Sequence, residues 1–357
     1  MNLGLSDTQE MIRDSMRQQL QREVSWERVS AVIAEGGHDD ALWKRLAADG
    51  WLGFAFPESM GGGGADLLDV AVALEEISKS AAVVPFAETM ACVYTLTRRG
   101  TEGAQAALAE AVVENAGAVA PALAGPGDEI TVSAEGAVSG SIRYVDYGPA
   151  STHHLVSASG PVGPQLLLVD AGNSGVTQRS LDNVGRTPQS AAAYTRVPAI
   201  AAGGEDAAAL LTQTATVLCC VQLVAFAQQA LDLTIPYVRD RVQFGRAIGT
   251  FQAVQQQAAD MVSALDAARY LTYEAVWKVE HGTCSPADLA TAKAAASRTG
   301  VFVTLTAHQL HGGMGMTEEY PLHFFSRRAK ERSLAWGSEH ESLALLADSV
   351  TDETDWR

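Results

Sequence analysis

Cysteine is scarce and badly spaced for chemistry. The four residues, Cys92, Cys219, Cys220 and Cys284, form no CxxC pair, which argues against a zinc ribbon or a thioredoxin-type dithiol. The adjacent pair lies in an apolar helical run and reads as small buried hydrophobes. Basic residues are outnumbered, 25 Lys plus Arg against 42 Asp plus Glu, for a formal charge of −17. The positive field that would hold nucleic acid or an anionic membrane is therefore missing. Met1–Leu20 lacks the apolar core of a signal peptide. No run of 18 uncharged apolar residues with membrane character is expected, so the expected location is cytoplasmic. The eight histidines show no HExxH or other metal spacing, so no metal is expected. There is no internal repeat of 20–50 residues.

What is present is a globular composition. Hydrophobic residues make up 47% and charged residues 19%, which excludes a disordered or fibrous chain. At 357 residues there is room for two or three domains, each with its own core.

Residues 1–120 read as helices. Asp39-Asp40 form an acidic first turn ahead of Ala41–Leu46, and Gly50 follows as a stop. Gly61–Gly64 must be a loop, and Asp66–Ser80 is helical again. Residues 121–203 turn to short strands, Ile130–Ser133, Ile142–Val145 and Leu166–Val169, between Gly-rich turns. Several such strands in about 80 residues predict a small β-barrel or sandwich. Residues 204–357 return to helix. Phe251, Val254, Ala258, Met261, Leu265 and Ala268 recur at steps of three and four, one apolar face of a long helix. Ser285-Pro286 is a cap with proline at the first helical position. Long helices with short links predict an antiparallel bundle.

Two segments carry a specific pattern. One is Arg241-Val242-Gln243-Phe244-Gly245 with Phe251-Gln252 following; the other is Gln309-Leu310-His311-Gly312-Gly313-Met314-Gly315, with Glu319-Tyr320-Pro321 and Arg327 downstream. A single GGxG would be weak, but two multi-residue motifs in this order, about 70 residues apart, are specific. Together with Trp51-Leu52-Gly53, Pro57-Glu58 and the glycine run, they resemble the acyl-CoA dehydrogenase family. The resemblance covers nearly the whole chain and is poor in the middle. It implies an α+β multidomain fold: an N-terminal α-helical domain, a middle small β-barrel domain and a C-terminal four-helix-bundle domain.

The resemblance further implies FAD lying across a subunit interface and α,β-dehydrogenation of an acyl-CoA thioester by a glutamate base. Mapped by motif, Arg241 would hold the pyrophosphate, with Phe244 and Gln252 beside it. Gln309 and the backbone at Gly312 and Gly313 would approach the adenosine half. A guanidinium fork suits two phosphate oxygens, and the flavin carries the redox chemistry. His308 and His311 flank Gln309 and would line the same interface.

The base is where the sequence departs from the family. Counting on through Tyr320-Pro321 and Arg327 without gaps reaches Ala335-Trp336-Gly337-Ser338, where Trp336 occupies the glutamate position. An indole cannot take a proton from carbon. Some members of the family place the glutamate about 26 residues before the phosphate-binding arginine, which here is Ala215. No catalytic residue is assigned. The nearest acids, Glu339 and Glu341, read as surface groups. The Thr-Glu-Pro motif of the β domain is also missing from Pro121–Asp128. The resemblance therefore implies one subunit of an α2β2 acyl-CoA dehydrogenase of the kind acting on steroid side-chain CoA esters. A second acyl-CoA dehydrogenase-like subunit would carry the glutamate, and an electron-transfer acceptor would take the electrons. The rival readings are a homotetrameric flavoenzyme using Glu339 and a non-catalytic scaffold on this fold. Arg327, Arg328, Lys330 and Arg332 form a basic cluster that fits either CoA phosphates or a solvated helix face, and His153-His154 read as solvent-facing.

Overall fold

The computed structural model describes residues 4–160 and 163–353. Among these, helices come first: α1 (Asp7–Glu23), α2 (Trp26–Ala34), α3 (Asp40–Ala48), α4 (Leu67–Lys79), α5 (Phe86–Arg99) and α6 (Glu102–Ala109). Local signals set their ends. Ser6 and Gln9 form a capping box on α1. The Asp39 carboxylate accepts the Leu42 N–H at 2.9 Å to start α3 and is held by Arg28 at 2.6 and 2.7 Å.

Seven strands follow: β1 (Val119–Ala122), β2 (Glu129–Val132), β3 (Ala137–Asp146), β4 (His153–Gly160), β5 (Gly163–Asp170), β6 (Val176–Ser180) and β7 (Gln189–Gly203). The three strand segments expected from sequence fall in β2, β3 and β5. Strands β4, β5, β7, β3 and β2 pair in succession, and Thr131 opposite Ser159 joins β2 back to β4, which closes the sheet. Strand β7 is long enough to pair with three neighbours, β3, β5 and β6. Alternate residues point inward, and Val138, Ile142, Val156, Leu167, Val169 and Val197 fill the interior.

His154 belongs to that interior. It is fully buried on β4, with Nδ1 2.8 Å from the Tyr194 hydroxyl and Nε2 3.4 Å from the Gly148 carbonyl. The expectation that it faces solvent is wrong, because strand alternation turns it inward toward a phenol that satisfies it. Burial pushes its pKa down from 6.5 to about 4.

The remaining helices are α7 (Glu205–Asp240), α8 (Gln252–Glu280), α9 (Pro286–His311), α10 (Leu322–Arg332) and α11 (Glu339–Glu353), with the strands β8 (Val242–Gln243) and β9 (Arg246–Ala247) between α7 and α8. The Ser285 cap with Pro286 starts α9 as expected. Helix α9 runs on through Gly300, where a Cβ would lie 3.0 Å from the Leu223 side chain, so the glycine permits close packing on α7. The α8 stripe is covered at its centre by burial of Met261, Leu265 and Ala268. Helix α7 corrects one expectation. An 18-residue window of it has mean hydropathy 1.8 and is apolar enough to cross a membrane, yet 72% of that window is buried in the protein. A helix surrounded by neighbours is apolar on every side.

The chain divides into two units that do not follow its linear order. One holds residues 27–70 and 83–215, with the closed sheet; the other holds 4–26, 71–82 and 216–353, with the helical bundle. In the first, Trp43 Nε1 donates to the Ala116 carbonyl at 2.8 Å in the link before β1, and Thr101 Oγ1 donates to the Ala201 carbonyl of β7 at 2.6 Å, tying the start of α6 to the sheet. In the second, Glu75 joins α4 to α8 through Arg269 and Tyr273.

Candidate functional site

Helix α7 carries Pro236 in its last turns, and Arg241 follows its end. The Arg241 N–H donates to Tyr237 at 2.8 Å, and its carbonyl accepts from Ile248 at 2.8 Å, so the backbone around it is pinned. The next residues fold back as a two-residue hairpin between β8 and β9. Phe244 and Gly245 take φ of +55° and +80°, as a primed turn requires. The hairpin lifts the Phe244 ring into solvent, 92% exposed. Its edge meets Phe251 at 6.2 Å, and the Arg246 guanidinium covers Phe251 at 4.1 Å. Gln252 opens α8 and is exposed.

The second motif ends α9. Gln309 is exposed on its last turn. Gly312 follows at φ +58° and ψ −134°, a conformation for glycine. A Cβ at Gly312 or Gly313 would meet no atom of the chain within 4 Å. Gly313 therefore owes nothing to packing inside the chain, and both present bare backbone outward.

Three aromatic side chains join the two motifs. The Tyr237 hydroxyl donates to the His311 carbonyl at 3.1 Å, and its ring stacks on the imidazole at 4.3 Å. His311 Nδ1–H donates to Ala307 at 2.7 Å, and Nε2 lies 3.0 Å from the Tyr320 hydroxyl. Tyr320 in turn reaches the Leu233 carbonyl at 3.4 Å. Burial lowers the His311 pKa, which suits a neutral ring in this clasp. His308 is half-buried and bonded to Ser326 at 2.8 Å. A cavity of about 410 Å³ opens beside the clasp, lined by Leu233, Pro236, Tyr237, Arg241 and Tyr320 with Asp232 and Asp240. Sequence reading singled out Arg241 and Gln309 but missed the roles of Tyr237 and Tyr320. Their only signal was a place inside the two motifs.

The two motifs joined by this clasp leave side-chain donors and bare glycine backbone at the surface. Arg241, Gln252 and Gln309 are all exposed, and none has a side-chain hydrogen bond among the described residues. Unpaired donors around glycine backbone fit an extended anionic cofactor with polar groups, as a dinucleotide pyrophosphate is.

No acid stands at either base position. Ala215 is buried in α7. Trp336 is half-buried in the turn between α10 and α11, at φ +57°. Glu339 is engaged: Arg298 Nε and Nη2 hold one of its oxygens at 2.7 and 2.6 Å. Glu341 caps α11, accepting the Ser338 N–H at 2.7 Å while its own N–H donates to Ser338 Oγ at 3.2 Å. Those backbone and hydroxyl bonds lower its pKa.

The basic cluster does not survive as a cluster. Arg328 is buried and donates to the Ala81 carbonyl at 2.7 Å. Arg332 is buried beside Glu331, and Arg327 pairs with Glu318 at 3.4 Å. Only Lys330 is exposed. Helix periodicity turned two of the four inward. Sequence reading also missed Lys293, 1% exposed, whose ammonium donates to Ser297 at 2.8 Å and to the Arg332 and Ser333 carbonyls at 3.1 and 3.3 Å. It closes the C-terminus of α10, where a cation is favoured. A lone lysine amid alanines was its signal.

In the other unit, the stretch lacking Thr-Glu-Pro leaves β1 as a turn tied to neighbouring strands, with the Ala124 N–H donating to Ser157 Oγ at 2.9 Å. Asp128 accepts the Gly125 N–H at 3.0 Å and pairs with Arg143 at 2.7 Å.

The profile described as acyl-CoA dehydrogenase, N-terminal domain, matches residues 6–115, and that of the C-terminal domain matches 203–351. Acyl-CoA dehydrogenase FadE27 of Mycobacterium tuberculosis is 31% identical over 333 residues, 88% of this chain and 89% of its own length. Among solved structures, the Tcur3481-Tcur3483 steroid acyl-CoA dehydrogenase variant superposes with a TM-score of 0.91 at 31% identity, over 97% of this chain and 98% of that one. The ChsE4-ChsE5 complex of Mycobacterium tuberculosis reaches 0.93 at 25% identity, over 99% of both chains.

Proposed function

Since the chain belongs to the acyl-CoA dehydrogenase family, we propose that it is one subunit of a heteromeric acyl-CoA dehydrogenase and gives half of an FAD site to a partner. The observation that carries this reading is a pairing. Arg241, Gln252 and Gln309 offer unpaired donors at an open surface, while Trp336 and Ala215 stand where the base would be. A self-sufficient enzyme would need the acid, and a bare scaffold would not need the donors.

When bound, FAD supplies the acceptor for the two electrons of α,β-dehydrogenation. This chain's part is binding and orientation. Arg241 neutralises the pyrophosphate with a two-pronged guanidinium. Gln252 and Gln309 hydrogen-bond polar edges, and Phe244 gives an apolar wall that excludes water. Gly312 and Gly313 let the backbone approach closely. Tyr237, His311 and Tyr320 hold the two donor segments in register.

The partner brings the glutamate. The engagement of Glu339 by Arg298 speaks against its use as a base here. The steroid acyl-CoA dehydrogenase variant that the chain resembles supports a steroid CoA ester as substrate; an electron-transfer protein as acceptor and a cytoplasmic location complete the proposal. The test is coexpression with a glutamate-bearing relative followed by an absorption spectrum. A yellow complex with one FAD per heterodimer is expected; a colourless complex refutes the reading.

A further inference from the structure

His311 is 3% exposed, and both its ring nitrogens face oxygen. Nδ1 lies 2.7 Å from the Ala307 carbonyl. Nε2 lies 3.0 Å from the Tyr320 hydroxyl, which is itself 3.4 Å from the Leu233 carbonyl. No carboxylate is hydrogen-bonded or ion-paired to the ring among the described residues.

One proton decides how these contacts are satisfied. A neutral imidazole carries a single N–H. Placed on Nδ1, it serves Ala307, but Nε2 must then take the Tyr320 hydrogen, which no longer reaches Leu233. Placed on Nε2, it completes the row to Leu233, but two acceptors then face each other across 2.7 Å at Ala307. Only the imidazolium serves every contact: Nδ1–H to Ala307, Nε2–H to Tyr320 and Tyr320 O–H to Leu233. The row then runs unbroken from α9 to α7, and the cation stacks on the Tyr237 ring at 4.3 Å.

Burial opposes the cation, and His308 one turn back adds to it, so the ring is neutral while nothing offsets them. The other charged groups on the elements around the clasp are Asp232, Asp240 and Arg241 at the end of α7, Glu319, and Glu318 with its partner Arg327. A bound anion changes this balance. Gly312 and Gly313 follow His311 directly and present bare backbone outward. Arg241 stands one helical turn beyond Tyr237, to whose carbonyl its N–H donates. A pyrophosphate held by both brings fixed negative charge to a ring already placed to donate twice.

We propose that His311 takes up a proton as the pyrophosphate of FAD settles on Arg241 and the Gly312–Gly313 backbone, so that cofactor binding itself locks the clasp between α7 and α9. This rests on the FAD reading above and makes His311 a positioning residue that acts through Tyr237 and Tyr320. A proton gained on binding makes binding tighter at low pH, and the gain is lost as pH rises through the pKa of the loaded site. For an upward shift of about one unit, affinity rises about tenfold in all, and uptake peaks at about half a proton.

The test takes the coexpressed complex, stripped of flavin, and titrates it with FAD by calorimetry from about pH 8 to about pH 5, the range in which histidine changes charge. Two buffers of different protonation heat give the proton count. Affinity about tenfold higher at the acid end, with about half a proton taken up near the midpoint, is the expected result. In His311→Gln the affinity no longer follows pH and the uptake is lost. Should that variant not fold, Tyr320→Phe decides: it removes the acceptor of Nε2–H, and the uptake falls by at least half. FAD binding without proton uptake overturns the coupling and leaves the FAD site standing. Uptake that survives His311→Gln places the proton elsewhere and overturns it too. A complex that takes no FAD at any pH overturns both readings.

Discussion

Replacing Arg269 with methionine tests the buried ionic junction of the bundle unit. Glu75 is nearly buried. Its carboxylate meets Arg269 Nη1 at 2.7 and 2.9 Å, Lys79 Nζ at 2.8 Å and the Tyr273 hydroxyl at 2.7 Å. Burial alone pushes its pKa up, but Lys79 and Arg269 outweigh burial and bring it from 4.5 to about 2. A shift of that size corresponds to about 3 kcal/mol favouring the charged form. Because the folded pKa lies below the unfolded one, this stability is present above pH 4.5 and is lost as pH falls toward 2. Arg269→Met keeps the stem that packs but leaves a buried carboxylate short of one cation, which costs about 3–5 kcal/mol at pH 7. The gap to wild type narrows as pH drops below 4.5, because protonated Glu75 no longer needs the arginine. Glu75→Gln combined with Arg269→Met recovers more than half of the loss, since no bare charge remains. Urea unfolding of the full chain, followed by helical circular dichroism at pH 7 and pH 4, reads all three. A loss below about 1 kcal/mol, or a gap that does not change with pH, would refute the argument that paired charge holds this junction.

Other outcomes follow from the same kind of reasoning. His154, depressed from 6.5 to about 4 by burial, stays neutral in the fold while the unfolded chain protonates, so stability falls as pH drops from 6.5 toward 4. His154→Gln, which can still reach Tyr194, should flatten that acid slope by about one proton in pH-dependent unfolding. Lys293→Met strips three buried acceptors of their donor and should lower stability by about 2–3 kcal/mol in urea. Arg241→Ala should leave the melting of the isolated chain unchanged, since its side chain is exposed. In the complex it should weaken FAD retention by about 10- to 100-fold, read from the ratio of flavin to protein absorbance. Ser338→Ala removes the α11 cap and should cost about 1 kcal/mol.

Much of the fold is legible in local chemistry. Ser285-Pro286 starts α9 because a hydroxyl cap and a residue without an N–H suit a helix entrance. The steps of three and four from Phe251 to Ala268 lay down one face of α8. The strands in residues 119–203 show through alternation and glycine turns. The candidate site was legible as far as its motifs reach: Arg241, Phe244, Gln252, Gln309, Gly312 and Gly313 all stand exposed, near the ends of α7 and α9 and at the start of α8.

The sequence by itself determined the order of elements, the family and the absence of an acid at residues 215 and 336. Each is a matter of residue identity and spacing along the chain. Only the tertiary structure decided which polar groups are spent inside. Arg328, Lys293 and His154 look like solvated residues on paper, yet each is buried against a carbonyl or phenol supplied from elsewhere in the chain, and Arg332 is buried beside Glu331. Only the structure, likewise, brought Tyr237, His311 and Tyr320 together to join two motifs about 70 residues apart. Periodicity tells which residues share a face, but what covers that face comes from residues distant in sequence. Burial and pairing are therefore properties of the packed chain.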